Sequence, residues 1–515
     1  MSIRPPVYMV AAENGALPGG KAGGVGDVLR DLPPAIAETG RPVTILMPSY
    51  NRLHRSDGME WCGEFPVRFG QESLNIDWYG KQTAADVDTV VLHHPKFDPY
   101  GTGQIYCDDG PDNPFATDAT KFALLSLAAG EWLVRHADDQ AVLHLHDWHA
   151  GLLALLRERL PSFERLKHLR GVLTLHNLAL QGLRPRRGHP SSFERWFPEL
   201  DPDDPLLSDP RYADVANPLA AAIRSVDHIN TVSPTNAREI LQPTDHARGF
   251  HGGEGLEVLL QHAAADGRLH GILNGCDYTA IPQHRPTFSD LTDTVAATLT
   301  EWSDQQPHNR SLFTLASRSL NQARHKQPSI ILTAVSRLTD QKAGLLLART
   351  QGITLLQQLL RSLPSDAVLL LLGSGDLGIE TALAQHAATD PRLVFLRGFS
   401  EPLANAVFAA GDLFLMPSTF EPCGISQMYA MRAGQPCLVH AVGGLNDTVK
   451  DNINGFSFSG PDPEAQVANC MASMIHAQQV FFDQPERWQE IVDEARAARF
   501  LWSDAAAQYE AKMYV

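Results

Sequence analysis

The sequence predicts an α/β protein built from two Rossmann-like, doubly wound domains. Three observations predict it. Short apolar runs alternate with amphipathic helical stretches along most of the chain. The alternation starts twice, at Val7 and again near residue 271. Glycine-rich or charged loops follow the runs directly, where doubly wound folds bind ligands.

The first series opens with VYMVAA from Val7 as a strand, a glycine-dense segment to Gly24, a helix, and VTILMP from Val43 as the next strand. Val25, Val28, Leu29, Leu32 and Ile36 recur on one helical face. Pro33 and Pro34 are expected to bend or divide that helix, and Gly40 to end it. VLHLH before Asp147 and GVLTLH before Asn177 read as strands with LLALLRERL as a helix between them. Residues 191–217, rich in Asp and Pro, read as a solvated loop. In the second series SIILTAV from Ser329, AVLLLLG from Ala367, RLVFL from Arg392, DLFLMPS from Asp412 and PCLVHAV from Pro436 are strands. LLLARTQGITLLQQLL and ISQMYAMRA are helical stretches between them. The domains are expected at residues 1–268 and 269–490.

Composition narrows the function. With 42 Lys and Arg against 59 Asp and Glu, the net charge is −17, which opposes binding to a nucleic-acid polymer or an anionic membrane surface. Apolar residues at 43% and charged ones at 20% fit an ordinary globular chain. Six scattered cysteines without a C-x-x-C pair suit neither a disulfide framework nor a zinc ribbon. No apolar run reaches membrane-helix length, and Val7 to Ala12 is too short for a signal-peptide core. A cytoplasmic location is expected.

Chemistry is sought at strand ends. Gly15, Gly19, Gly20, Gly23, Gly24 and Gly26 surround Lys21 just after the first strand. Such a loop lets backbone approach a ligand closely and offers N–H groups and one cation to an anion. Its spacing is neither that of a P-loop nor G-x-G-x-x-G, and read alone it serves structure as readily as chemistry. In SRLTDQKAG, Arg337 and Lys342 can hold a diphosphate, Arg as a fork and Lys as a point charge; they can equally be surface cations. Glu421 in STFEPCGISQ can accept hydrogen bonds from sugar hydroxyls, or serve a helix N-terminus. HLHDWHAG sets His144, His146, Asp147 and His149 at a strand end, but without H-E-x-x-H or a clear partner set strand-end packing is the stronger reading than zinc. His176 and Asn177 end the neighbouring run.

Taken together and in order, KAGGVGDV from Lys21, HDWHAG, HNLALQG, NTVSPTNAREI, GILNGCD, SRLTDQK and PSTFEPCGISQ through GGLNDTV resemble the bacterial glycogen synthase and plant starch synthase family over almost the whole chain. The resemblance implies a retaining glycosyltransferase of the glycosyltransferase B architecture, its two domains facing across a cleft that closes on the donor. Its expected partners are ADP-glucose and the non-reducing end of an α-1,4-glucan, with no cofactor and no metal ion required; the oligomeric state is left open. It further implies that Lys21 with Gly23 and Gly24 binds the nucleotide sugar, that Arg337 and Lys342 hold the diphosphate, and that Glu421, beside the Cys423–Gly424 turn, holds the glucose. Asp147, His176 and Asn177 are implied sugar-side residues. Residues 491–515, ending in FLWSDAAAQYEAKMY, look like the family's terminal helix packing back on the first domain. The chain departs from the family pattern at Ala220 and Ala222, where Lys and Gly are usual, at Leu180 and Asn405, and at Ile281, Pro282 and Gln283. Rival readings are a relative using another nucleotide sugar or acceptor, and a non-catalytic glucan-binding homologue.

Overall fold

The computed structural model describes residues 4–515 except 112, 280, 282 and 283, so the Pro282 and Gln283 departures lie outside the described residues. By its contacts the chain divides into two compact units. Residues up to Thr244, Gly252–Gly275 and Leu501–Val515 form the first, and Asp245–His251 with Cys276–Phe500 the second.

The first unit holds a nine-stranded sheet. Its strands are β1 (Val7–Val10), β2 (Val43–Pro48), β3 (Glu60–Phe69), β4 (Glu72–Ala84), β5 (Val87–His93), β6 (Val142–His146) and β7 (Arg170–Leu175), followed, after a small hairpin of β8 (Arg184–Pro185) and β9 (Val215–Ala216), by β10 (His228–Thr231) and β11 (Leu269–Gly271). The order is β11-β10-β7-β6-β1-β2-β5-β4-β3. Pairing is parallel from β11 to β5, and β4 and β3 extend it antiparallel. β11 falls in this unit because its residues pair with β10.

The helix Gly24–Ala37 runs unbroken through Pro33 and Pro34, against expectation. Each proline deletes one backbone donor, but Leu29, Leu32, Pro33, Ala35 and Ile36 are all buried there, and that apolar contact outweighs the loss. On the same layer packs the last helix, Trp502–Lys512, with Trp502, Ala506, Tyr509, Met513 and Tyr514 joining Val28, Leu32 and Ile36. Arg41 clamps it by donating to both carboxylate oxygens of Glu510 at 2.8 and 2.9 Å. Residues 191–217 are not a solvated loop. Phe193 and Phe197 are fully buried, Asp209 accepts from Asn217 at 2.8 Å, and Asp204 pairs with Arg159.

The second unit holds a six-stranded, all-parallel sheet in the order β16-β15-β12-β17-β18-β19. Its strands are β12 (Ile331–Val335), β15 (Val368–Gly373), β16 (Leu393–Arg397), β17 (Leu413–Met416), β18 (Cys437–His440) and β19 (Gly455–Phe458), with a separate hairpin of β13 (Arg349–Thr350) and β14 (Ile353–Thr354). Side-chain alternation feeds two cores. Leu332, Ala334, Leu369 and Leu371 enter one, and Ile331, Val335, Val368, Leu370 and Leu372 the other. The long helical stretch expected after Lys342 is two helices, Asp340–Leu347 and Leu355–Ser362, parted by the hairpin. Gln351 and Gly352 turn that hairpin, both at positive φ.

Candidate active site

In the first unit, β1 lies between β2 and β6, the point where strand order reverses, and the carboxyl ends of β1, β6 and β7 carry the predicted residues. Beyond β1 the glycine-rich loop is braced by Glu13, which is 1% exposed. Its carboxylate accepts from the N–H groups of Ala22 at 2.7 Å and Gly23 at 2.6 Å, and from the hydroxyl of Tyr106 at 2.7 Å. Gly23 caps the helix Gly24–Ala37 with no side chain of its own. Lys21 is exposed and donates to Asp27 at 2.6 Å. The steric demand for glycine is greatest at Gly20, where a Cβ would lie 2.4 Å from the Asn14 carbonyl oxygen; at Gly26 it would lie 2.8 Å from the Lys21 side chain, and at Gly24 it would meet nothing within 4 Å.

At the end of β6, Asp147 has φ 54° and ψ −168°, backbone space that is nearly glycine-only. Its own N–H donates to the Thr174 carbonyl at 3.0 Å, and its carboxylate accepts from the His176 N–H at 2.7 Å. Burial pushes its carboxyl up to about 7, against the pull of the His176 and Asn177 N–H groups. His176 and Asn177, half-buried at the end of β7, therefore sit beside Asp147. Burial holds His176 down at about 4, so it is neutral at physiological pH. His144 bonds Thr174 and Tyr514, while His146 bonds His176 and His149 packs edge-on to Phe122. Among the described residues no group of three or more His, Cys, Asp or Glu is placed to hold a metal ion.

In the second unit, strand order reverses between β12 and β17, and the remaining predicted residues gather there. Arg337 lies exposed in the loop after β12. Lys342, in the first turn of the following helix, makes a 2.6 Å ion pair with Glu421 and donates to the Phe420 carbonyl at 3.0 Å. Both side chains are little exposed, at 13% and 11%. The loop after β17 is fixed from three sides. Thr419 donates its N–H to the Gln341 carbonyl at 2.9 Å. Gly444 donates to the Glu421 carbonyl at 3.0 Å. Gln427, fully buried, donates to the carbonyls of Cys423 and Gly424. Gly443, at φ 46°, is required by contact: a Cβ there would stand 2.1 Å from the Glu421 carbonyl oxygen. A carboxylate and an ammonium are thus presented together at a strand-order reversal, an arrangement suited to hydroxyl groups on one side and an anion on the other.

Sequence reading missed Glu13, Tyr106 and Gln427. An acid immediately after a buried strand, as in VAAENG, was the available signal for Glu13; the other two have none.

The sequence pattern of the family described as "Starch synthase catalytic domain" matches residues 6–262, and that of "Glycosyl transferases group 1" matches residues 329–476. The glycogen synthase of Anaeromyxobacter dehalogenans (strain 2CP-C) is 35% identical over 522 residues, covering 98% of each chain. The chain belongs to the glycogen synthase family. A further member, from Aeromonas hydrophila, is 32% identical over 539 residues, covering 100% of this chain and 99% of its own. The catalytic domain of starch synthase IV from Arabidopsis thaliana, bound to ADP and acarbose, superposes with a TM-score of 0.76 at 25% identity, covering 99% of this chain and 98% of that one. The sucrose-phosphate synthase of Thermosynechococcus elongatus, at 15% identity and a TM-score of 0.55, shares the fold. Within this glycogen synthase family member, Ala220 and Ala222 are completely buried in the helix Pro218–Ser225. Leu180 is exposed, and Asn405 half-buried on the helix Glu401–Ala410.

Proposed function

We propose that the protein is a glycogen synthase that transfers glucose from ADP-glucose to the non-reducing end of an α-1,4-glucan with retention of configuration. The single observation that carries the site assignment is the Lys342–Glu421 pair at 2.6 Å, which sets a cation and a carboxylate side by side at the strand-order reversal. In this reading Lys342 and Arg337 neutralise the diphosphate as it leaves, and Lys21 adds a third charge from the glycine-rich loop. Glu421 accepts from glucose hydroxyls, with the Cys423–Gly424 turn supporting it. Asp147, His176 and Asn177 attend the sugar from the first unit.

Transfer breaks the bond from the anomeric carbon to the phosphate oxygen and forms one to the acceptor hydroxyl oxygen on the same face. The hydroxyl proton passes to the departing phosphate. Charge separation is largest when the first bond is nearly broken, so fixed cations at the phosphate stabilise that point most. Neutral His176 adds no positive charge beside a carbon that is itself becoming positive. The partners are then a nucleotide sugar and a glucan, and the expected location is the cytoplasm.

Supplying ADP-glucose, UDP-glucose and GDP-mannose in parallel, with glycogen as acceptor, tests the reading. ADP-glucose is expected to give α-linked product that an α-1,4-specific hydrolase removes. Incorporation from GDP-mannose alone would overturn it.

A further inference from the structure

His146 ends β6, next to Asp147, and is 1% exposed. Its Nδ1 lies 3.0 Å from Nε2 of His176, with the two rings stacked at 5.4 Å. On its other side it stacks on His144 at 4.3 Å. His144 is immobilised through Nε2 by the Thr174 hydroxyl at 2.8 Å and through Nδ1 by the Tyr514 hydroxyl at 2.9 Å. Residues of β6, β7 and the C-terminal segment thus lock a column of three imidazoles.

Two ring nitrogens 3.0 Å apart share one proton, and which ring carries it decides what the other presents elsewhere. If His176 donates from Nε2, the proton of His146 must sit on its own Nε2. That atom is buried and has no partner among the described residues, so an N–H would be orphaned. If His146 donates from Nδ1, only a lone pair is left unmet at Nε2. Orphaned buried N–H groups are rarer in folded proteins than undersatisfied acceptors. A charged ring is disfavoured as well, because burial lowers His144 to about 3 and His176 to about 4, with His146 displaced the same way.

We propose that His146 is a positioning residue of the transfer reaction, donating from Nδ1 to Nε2 of His176 and so holding the His176 proton on Nδ1. His176 then meets a sugar hydroxyl with an N–H rather than a lone pair, which fixes the direction of that hydrogen bond. The inference rests on the reading of His176 as a sugar contact.

Long-range proton–nitrogen correlation spectra of the full chain labelled with 15N-histidine report each ring's tautomer without any substrate. The expected result is His176 protonated on Nδ1; protonation on Nε2 overturns the proposal while leaving the transferase reading intact. Two variants add the kinetic test. His146→Asn keeps an N–H near the position of Nδ1, and His146→Leu removes it. His146→Leu is expected to lower kcat about tenfold or more, with the inhibition constant of ADP, which lacks the glucose, within about twofold, and His146→Asn to recover kcat to within about threefold of the parent. Equal kcat in the two variants overturns the proposal. Should His146→Leu not fold, the tautomer of the unaltered protein still decides.

Discussion

Replacing Asp147 by asparagine removes a buried charge but keeps an oxygen to accept the His176 N–H, which now lies 2.7 Å away. The carboxyl has an ordinary value of 3.8 and is raised to about 7 in the fold. Because the folded value is the higher one, the folded state holds the proton more tightly. This stabilising contribution is present at low pH and is lost as pH rises from about 4 through about 7. At about 1.4 kcal/mol per pH unit, the asparagine variant should gain about 3 kcal/mol more over the parent at pH 8 than at pH 5, and the gap should level off above pH 7–8. Differences in urea midpoint between parent and variant, read at each pH, cancel the other titrating groups. Asp147→Gly separates the backbone contribution, since φ 54° and ψ −168° costs a non-glycine residue about 1–3 kcal/mol at any pH. An asparagine variant whose gain is the same at pH 5 and pH 8 would refute the assignment of a buried, destabilising carboxylate. Both variants should lose transferase activity, as expected for a strained acid kept at a strand end for function.

Other perturbations follow from the same geometry. Lys342→Ala and Glu421→Ala each leave the partner charge little hydrated, so each should cost about 3–5 kcal/mol, whereas Lys342→Met combined with Glu421→Gln should cost less than either; equal or additive losses in thermal melts would contradict the pair's isolation from water. Glu13→Ala strips the acceptor from two backbone N–H groups, bonds worth about 1.5–3 kcal/mol each to a charged group. Amide exchange at Ala22 and Gly23 should therefore accelerate at least about tenfold, and unchanged exchange would show that the loop holds itself. Gly443→Ala, with its Cβ 2.1 Å from the Glu421 carbonyl, should displace the loop and lower turnover. Its melting point should fall by about 2–4 °C for each kcal/mol lost, and normal turnover would show that Glu421 is not held by that contact.

The doubly wound pattern was legible because buried parallel strands are near-continuous apolar runs. ILTAV and VLLLLG, at five and six residues, have the length of buried strands and are too short for an ordinary buried helix. The edge strands β3 and β4 were not read. Their pattern, as in EFPVRF, is half polar because one face is open to water. The segment 191–217 misled because its aspartates suggested solvent, while Phe193 and Phe197, which decide its burial, are too few to set a period. The helix Gly24–Ala37 shows packing overriding local preference at Pro33 and Pro34. At the site, strand-end residues were visible one by one through their neighbours in sequence. What could not be read is which of them touch: Lys342 with Glu421, Asp147 with the His176 N–H, and Tyr106 with Glu13 are long-range contacts made by strand order, and strand order is not written in any one motif.

The central claim, that this chain builds glucan from ADP-glucose with Glu421 holding the sugar, is tested most directly by incorporation of labelled glucose from ADP-glucose into glycogen, run beside Glu421→Ala. Incorporation by the parent is expected, with its disappearance in a variant that still binds glycogen. No incorporation by a folded parent that binds glycogen, or undiminished incorporation by Glu421→Ala, would contradict it.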